Sequence, residues 1–257
     1  MHITINNISE DRIKTDVIIL PVFEDSLPER YSDLDRLIDG LIRKVIKAKE
    51  FTGKQNQLSL LHVQHINAER ILLVGLGKQS DISTERIRQA GGRAFSYLQG
   101  IGFNDIAVSG VIFKETSEKS QILKNAKNRP MFYFVEGGLL GIYRFEKYKK
   151  SENGKEIKTL QILDDDKDIR LKRLQITASA VNFARDLVNT PSNDMTPETL
   201  SSIAKSISDK KLKVKILGEK ECRREGMGAY LSVSRGSAEP PQFIIIEYKG
   251  WKGAPLA

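Results

Sequence analysis

Strands of the buried type alternate with amphipathic helices through the first two thirds of the sequence, and this alternation restricts the chain to a layered α/β fold. The clearest strand is Asp16–Val22, which is apolar at nearly every position. A strand of this kind has both faces covered, as in the middle of a largely parallel sheet. The hydrophobic periodicity predicts further strands at 2–6, 58–65, 70–75, 105–112 and 157–163 and helices at 33–48, 83–99 and 132–148. We therefore expect a mostly parallel sheet flanked by helices.

A long helical pattern at 169–188 stops, turns and restarts between Arg185 and Pro197. Pro191 disfavours helical geometry in the residue before it, so the helix cannot run on. Thr196 then places a hydroxyl before a proline, which is the usual order at a helix start. We expect a new helix from about Pro197 to Ser208 and place a domain boundary at about 164–168, before the long helix.

The segment after this restart predicts a strand at 213–217, a charged helix at 219–225 and a second strand, Phe243–Tyr248. That last strand is apolar on both faces and needs neighbours on both edges. Only nine residues follow it. We therefore expect residues 168–257 to lack a closed core and Phe243–Tyr248 to expose an unpaired edge.

No motif in the chain assembles a recognisable metal or nucleotide site. Gly75-Leu-Gly77 lies between a strand and a helix, but Ser80 takes the place of the third glycine of a dinucleotide fingerprint, so a tight turn is favoured. His62 and His65 have an odd spacing, which on one regular strand places their side chains on opposite faces. His2 stands alone. The acidic run 164–166 is typical of a solvated cap before a helix rather than of a cation site.

Composition limits the cellular compartment and the kinds of partner that we expect. Cys222 is the only cysteine, so an internal disulfide is impossible, and we expect an inert thiol in a reducing compartment. No charged-then-apolar leader and no membrane-length apolar run occurs, which favours a cytoplasmic protein without a membrane partner. The net charge of +8 admits a nucleic-acid partner. Basic residues at 144–150 and 210–215 interleave with apolar ones, which suits either a phosphate backbone or ordinary helix and strand surfaces.

Two long segments resemble the leucyl aminopeptidase (cytosol aminopeptidase) family of dinuclear metallopeptidases. They are ARDLVNTPSNDMTPETL at 184–200 and GMGAYLSVSRGSAEPPQFIIIEYKG at 226–250. Segments 70–78 and 137–149 resemble the N-terminal domain of that family. The resemblance implies an N-terminal macro-domain-like α/β domain at 1–165, a connecting helix at 166–190 and the incomplete start of a C-terminal peptidase domain at 191–257.

The resemblance further implies a homohexameric enzyme in which two divalent ions, zinc, manganese or magnesium, activate a water against the peptide bond next to a free N-terminus. The family carries its ligands on a Gly-Lys-Gly strand, a Phe-Asp-Ser-Gly-Gly-like turn and an Asn-Thr-Asp-Ala-Glu-Gly-Arg-like segment. None of these occurs in residues 1–257. We therefore assign no catalytic, metal-binding or cofactor-binding residue, and expect this stretch alone to bind no metal and to lack peptidase activity.

Six residues match signature positions of the family, and we interpret them as caps and turns. They are Asn189, Pro191, Asn193, Gly236, Glu239 and Pro240. The leading hypothesis is therefore the N-terminal portion of an aminopeptidase that acts on peptides only when complete. The alternatives are a basic binding or assembly module that contacts DNA, and a macro-like nucleotide binder.

Overall fold

A computed structural model describes residues 1–24, 29–113, 130–149, 155–164 and 171–250, without the side chain of Arg30. The chain divides into two compact units, Met1–Asn182 and Phe183–Ala257. Each unit has its own sheet, and the two are described separately. Residues 165–166 of the acidic run, most of the domain boundary predicted at about 164–168 and the start of the helical pattern at 169–188 lie outside the described residues.

Unit 1 contains a six-stranded sheet in which every neighbouring pair is parallel except one. The strands are β1 His2–Asn6, β2 Thr15–Val22, β3 Leu58–His62, β4 Ala68–Gly75, β5 Asp105–Ser109 and β6 Thr159–Leu163. Their spatial order is β1-β6-β5-β2-β4-β3, and only β3 runs antiparallel to its neighbour β4. The mostly parallel α/β sheet predicted from the sequence is confirmed, with Asp16–Val22 at its centre.

Helices cover both faces of this sheet. They are α1 Glu29–Leu37, α2 Leu41–Lys47, α3 Thr84–Ile101, α4 Pro130–Gly141 and α5 Leu171–Asn189, which continues into unit 2. Val17 and Ile19 of β2 belong to the buried cluster formed with α3 and α4, whereas Ile18 and Leu20 belong to the cluster formed with α1 and α2. Because successive strand residues face opposite sides, one apolar strand supplies both cores.

The prediction of one continuous helix at 33–48 is wrong, because two helices occupy this stretch. Asp39 and Gly40 adopt φ of 58° and 70°, in the left-handed region, and this ends α1. The buried carboxylate of Asp35 then accepts a 2.7 Å hydrogen bond from the backbone N–H of Ile42 and holds the start of α2. Periodicity alone carries no sign of such a break, since the apolar positions keep their helical spacing across it.

Three predicted element ends are also wrong. The strand predicted at 58–65 ends at His62, and His65 has a φ of 68°. The strand predicted at 105–112 ends at Ser109, and residues 111–113 turn into a helical conformation. The helix predicted at 132–148 is α4, which begins at Pro130 and ends at Gly141. Beyond it, Phe145 meets the exposed Tyr148 ring edge-on at a centroid distance of 5.9 Å, so their aromatic spacing does not extend the helix.

Glycines bring the backbones of α3 and α4 into direct contact. A Cβ added at Gly91 would lie 1.9 Å from the carbonyl oxygen of Phe134, and one at Gly137 would lie 1.8 Å from the carbonyl oxygen of Arg88. The Arg88 guanidinium lies across the same contact, 2.8 Å from a carboxylate oxygen of Glu136. This close approach sets the distance at which the α3 and α4 layer covers the sheet.

Unit 2 is built on a two-stranded antiparallel sheet. Its elements are α6 Pro197–Ser206, β7 Leu212–Leu217, α7 Glu219–Arg224, α8 Gly228–Ser234 and β8 Phe243–Tyr248. β7 pairs with β8 from Leu217 opposite Phe243 to Leu212 opposite Tyr248. The four predicted elements, the helix from Pro197, the strand 213–217, the helix 219–225 and the strand 243–248, are confirmed, whereas α8 was not predicted.

We expect Gly137→Ala to destabilise unit 1, because the new methyl group has no room between the two helix backbones. Overpacking of this kind costs about 1–3 kcal/mol in the free energy of unfolding. The matched control is Gly100→Ala in the same helix layer, where no atom lies within 4 Å of the added Cβ. That change removes a flexible helical glycine and should be neutral or stabilise by up to about 1 kcal/mol. Urea unfolding of both variants measures the difference, and equal stabilities would contradict the packing account.

Candidate functional site

Unit 2 begins with the helix stop and restart that the sequence predicts. Thr190 is buried at the end of α5, and its hydroxyl donates to the carbonyl of Asp186 at 2.7 Å. The chain then turns over Pro191, whose carbonyl accepts from the backbone N–H groups of two following residues. Thr196 caps α6 by accepting from the N–H of Thr199 at 3.2 Å. The predicted cap and restart are confirmed. The helix α6 that follows them contacts the two-stranded sheet of unit 2.

A small core supports the β7–β8 sheet. Leu217, Cys222 and Leu231 are its buried members, and Met227, Tyr230 and Phe243 pack against them. Tyr230 meets the Phe243 ring edge-on at a centroid distance of 5.4 Å. Burial raises the pKa of the Tyr230 hydroxyl, since the charged phenolate loses solvation there. The core therefore joins α7 and α8 to one end of the sheet only.

The rest of β8 is exposed although it is as apolar as a buried strand. Ile245 and Ile246 are 38% and 50% exposed, and Tyr248 is 68% exposed. Because neighbouring residues of a strand point to opposite faces, β8 shows apolar surface on both. Among residues 171–250, its second edge pairs with no strand. An apolar strand with an open edge and two partly open faces is a surface onto which further structure packs.

Two clefts flank the segment that enters β8. One, of about 440 Å³, is lined by Glu219, Arg223, Arg235 and the 237–241 segment. The other, of about 390 Å³, has apolar walls from α6 and α8 that include Leu200, Tyr230 and Val233. Glu239 and Ser237 contribute to both clefts, and the N–H of Glu239 donates to the Ser237 hydroxyl at 3.1 Å.

The family-signature residues of this unit lie in its turns. Gly236, Glu239 and Pro240 belong to the segment between α8 and β8, and Glu239 and Pro240 line a cleft. Asn189 ends α5, whereas Pro191 and Asn193 are exposed in the turn that follows. The structure therefore brings Gly236, Glu239 and Pro240 together in one segment. The other three residues lie where α5 ends and the chain turns.

No described part of the chain presents three or more His, Cys, Asp or Glu side chains arranged to hold a metal ion. Asp164 is buried, so the prediction of a solvated cap is wrong for this residue, and 165–166 lie outside the described residues. His62 and His65 do not share one regular strand, because β3 ends at His62. The argument that strand geometry separates their side chains is therefore wrong, and both line one cleft of unit 1.

The Gly75–Gly77 segment is a tight strand-to-helix turn, as predicted. Gly77 has a φ of 76°, and a Cβ on Gly75 would lie 1.9 Å from the carbonyl oxygen of Lys54. Gly75 is thus required by the approach of a neighbouring loop, and Gly77 is favoured by its left-handed backbone conformation. After a short 3-10 turn at Gln79–Asp81, Ser83 caps α3 by accepting from the N–H of Arg86.

The basic segment in β7 follows the strand alternation. Lys213 and Lys215 are exposed, whereas Leu212, Val214 and Ile216 between and beside them are partly buried. In the other basic segment, the Lys147 ammonium lies 5.3 Å from the Tyr148 ring centroid, and residue 150 lies outside the described part. The described residues of both segments therefore lie on strand and turn surfaces.

The described residues thus form an α/β chain with a six-stranded sheet in unit 1 and a two-stranded sheet in unit 2. Residues 19–152 match the family model described as "Cytosol aminopeptidase family, N-terminal domain", and residues 182–256 match "Cytosol aminopeptidase family, catalytic domain". The chain belongs to the cytosol aminopeptidase family.

Curated relatives extend over almost all of this chain. A "Probable cytosol aminopeptidase" of Nitrosococcus oceani is 31% identical over 98% of the chain and 52% of its own length. Another, of Paraburkholderia phytofirmans, is 35% identical over 95% of the chain and 49% of its own length. The chain spans about half the length of the curated relatives it matches.

Solved structures share the fold. A mutant of tomato leucine aminopeptidase superposes with a TM-score of 0.81 at 24% identity, over 98% of this chain and 52% of that one. The bottromycin maturation enzyme BotP, solved in complex with Mn, gives a TM-score of 0.67 at 17% identity, over 90% of this chain and 45% of that one. In this chain, the described helices include none long and apolar enough to cross a membrane.

We expect Cys222 to resist thiol reagents in the folded chain, because its side chain is fully buried and its Sγ lies 3.6 Å from the Leu217 carbonyl oxygen. Since this is the only cysteine, labelling with Ellman's reagent reports opening of unit 2 alone. Labelling should be slow in buffer and complete in denaturant. Stoichiometric labelling of the folded chain within the mixing time would show that the small core does not protect Cys222.

Proposed function

We propose that this chain supplies the N-terminal α/β domain and the first part of the catalytic domain of a metal-dependent aminopeptidase. Such an enzyme removes N-terminal amino acids from peptides. The observation that carries the proposal is the match of both family models, in chain order, to a chain with the same fold as leucine aminopeptidase. The domain limits proposed from the sequence are 1–165, 166–190 for the connecting helix and 191–257.

The residues described here do not fit a dinuclear metal centre. Their donor groups form no cluster of three or more ligands, and the three ligand-bearing motifs of the family are absent from 1–257. The family is one of metallopeptidases, and two divalent ions, zinc, manganese or magnesium, belong to the proposal for the complete enzyme. Their ligands would come from sequence other than residues 1–257.

The contribution of unit 2 in this proposal is to start the catalytic sheet. β8 is paired along one edge by β7, and its exposed Ile245 and Ile246 lie on opposite faces. A strand paired on its second edge would satisfy the open backbone groups, and helices over it would bury both isoleucines. The apolar cleft between α6 and α8 offers a place for such a helix.

Assembly and location follow from the same proposal. Peptides would be the substrate of the complete enzyme, a homohexamer its assembly and the cytoplasm its compartment. The name "cytosol aminopeptidase" carried by the relatives supports the compartment.

A chimera tests the proposal. Residues 1–250 of this chain would be joined to the part of the Paraburkholderia phytofirmans relative that follows its matched region. With zinc, manganese or magnesium, we expect the chimera to hydrolyse leucine p-nitroanilide and residues 1–257 alone to show no turnover. Turnover by residues 1–257 alone, or a folded chimera with no activity, would contradict the proposal.

Two variants of the chimera test the role of β8. Ile246→Lys places a charge on a face that the proposal buries, which should lower turnover by roughly tenfold or more through loss of folded enzyme. Lys220→Gln changes an exposed residue of α7 and should leave turnover unchanged. Equal activity in the two variants would show that this face of β8 stays open in the enzyme.

A further inference from the structure

A cleft of about 390 Å³ lies in unit 1, where α1 and α2 meet the edge strand β3. Nine residues line it, namely Ile38, Asp39, Leu41, Lys44, His62, Val63, Gln64, His65 and Arg70. It belongs to the N-terminal sheet and uses none of the unit 2 residues that carry the proposed function. An inference about this cleft therefore stands or fails independently of the aminopeptidase proposal.

The backbone around the cleft is held in an unusual conformation. Four non-glycine residues in the described chain have a positive φ, and two of them, Asp39 and His65, line this cleft. Left-handed conformations of non-glycine residues cost free energy and gather at functional sites. They turn the chain after α1 and after β3 so that both turns face the same space.

The charged groups of the cleft favour an anion. Lys44 and Arg70 are its cations, and Asp39 is its only carboxylate among the lining residues. The described residues place no carboxylate within ion-pair distance of either cation, and the Arg70 Nη1 donates only to the backbone carbonyl of Glu69. These two cations are thus available to a ligand.

Two imidazoles also line the cleft. His62 of β3 lies directly opposite Arg70 of β4 in the antiparallel register, so both side chains are on one face of the sheet. His65 Nε2 lies 4.0 Å from a carboxylate oxygen of Asp39. Two cations and one carboxylate give the cleft a net charge of +1 before the imidazoles are counted.

We propose that this cleft binds a small tetrahedral oxyanion, a sulfate or a phosphate or a monoester of either, with Lys44, Arg70 and the two histidines as its donors. Guanidinium and ammonium groups bind such oxygens through charge-assisted hydrogen bonds. Ile38, Leu41 and Val63 provide an apolar wall for the group that an ester would carry.

Histidine NMR on the full chain tests the proposal with sulfate, at one pH and at constant ionic strength with chloride. The chain has three histidines, and His2 lies on β1, at the opposite edge of the sheet from β3. We expect saturable shifts of the His62 and His65 ring signals and none for His2.

Matched variants distinguish binding at this cleft from a nonspecific effect of positive charge. Lys44→Gln and Arg70→Gln should each weaken sulfate binding by roughly tenfold, whereas Lys47→Gln removes an exposed charge of the same helix outside the cleft and should have no effect. A phenyl phosphate titration distinguishes a free oxyanion from a monoester as the natural ligand. Tighter binding than sulfate indicates an ester whose organic group contacts the apolar wall. Equal binding indicates the free ion. Shifts that do not saturate, or equal weakening by Lys47→Gln, would overturn the proposal.

Discussion

The constraint on which this structure depends is that a strand apolar on both faces must be covered on both faces and paired on both edges. β2 meets this requirement completely. Val17, Ile18, Ile19 and Leu20 have no exposed surface, and β4 and β5 pair with the two edges of the strand. The helices that bury it, including the glycine-packed α3 and α4, form the two hydrophobic cores of unit 1. One strand thus fixes the three-layer architecture.

β8 has the same kind of sequence and only part of the same surroundings. β7 pairs with one edge, and the core of Leu217, Cys222 and Leu231 covers one end, while Ile245 and Ile246 stay exposed. Unit 1 shows what such a strand needs, and the missing neighbours of β8 define what would complete unit 2. The exposed apolar surface of β8 and the match of 182–256 to a catalytic-domain model support the same proposal. In that proposal, the sheet continues in a complete aminopeptidase.

Local signals allowed much of this fold to be predicted from sequence, because they act within a few residues. The hydroxyl caps at Ser83 and Thr196 and the apolar run of β2 are of this kind. The break at Asp39 was missed because its left-handed backbone lies inside an unbroken helical spacing. The helix α8 was missed because only Leu231 in it is buried, whereas Val233 is 84% exposed, so no periodic pattern forms. The cleft at His62 and His65 was missed because the predicted strand extended past its true end.

Hydrogen exchange of the β8 amides tests the central claim most directly, because exchange reports how well a strand is paired and covered. The account predicts that, in residues 1–257, the β8 amides exchange much faster than those of β2. In the chimera with the remainder of an aminopeptidase, β8 protection should rise to the level of β2. Protection of β8 equal to that of β2 in residues 1–257, or no gain in an active chimera, would contradict the account.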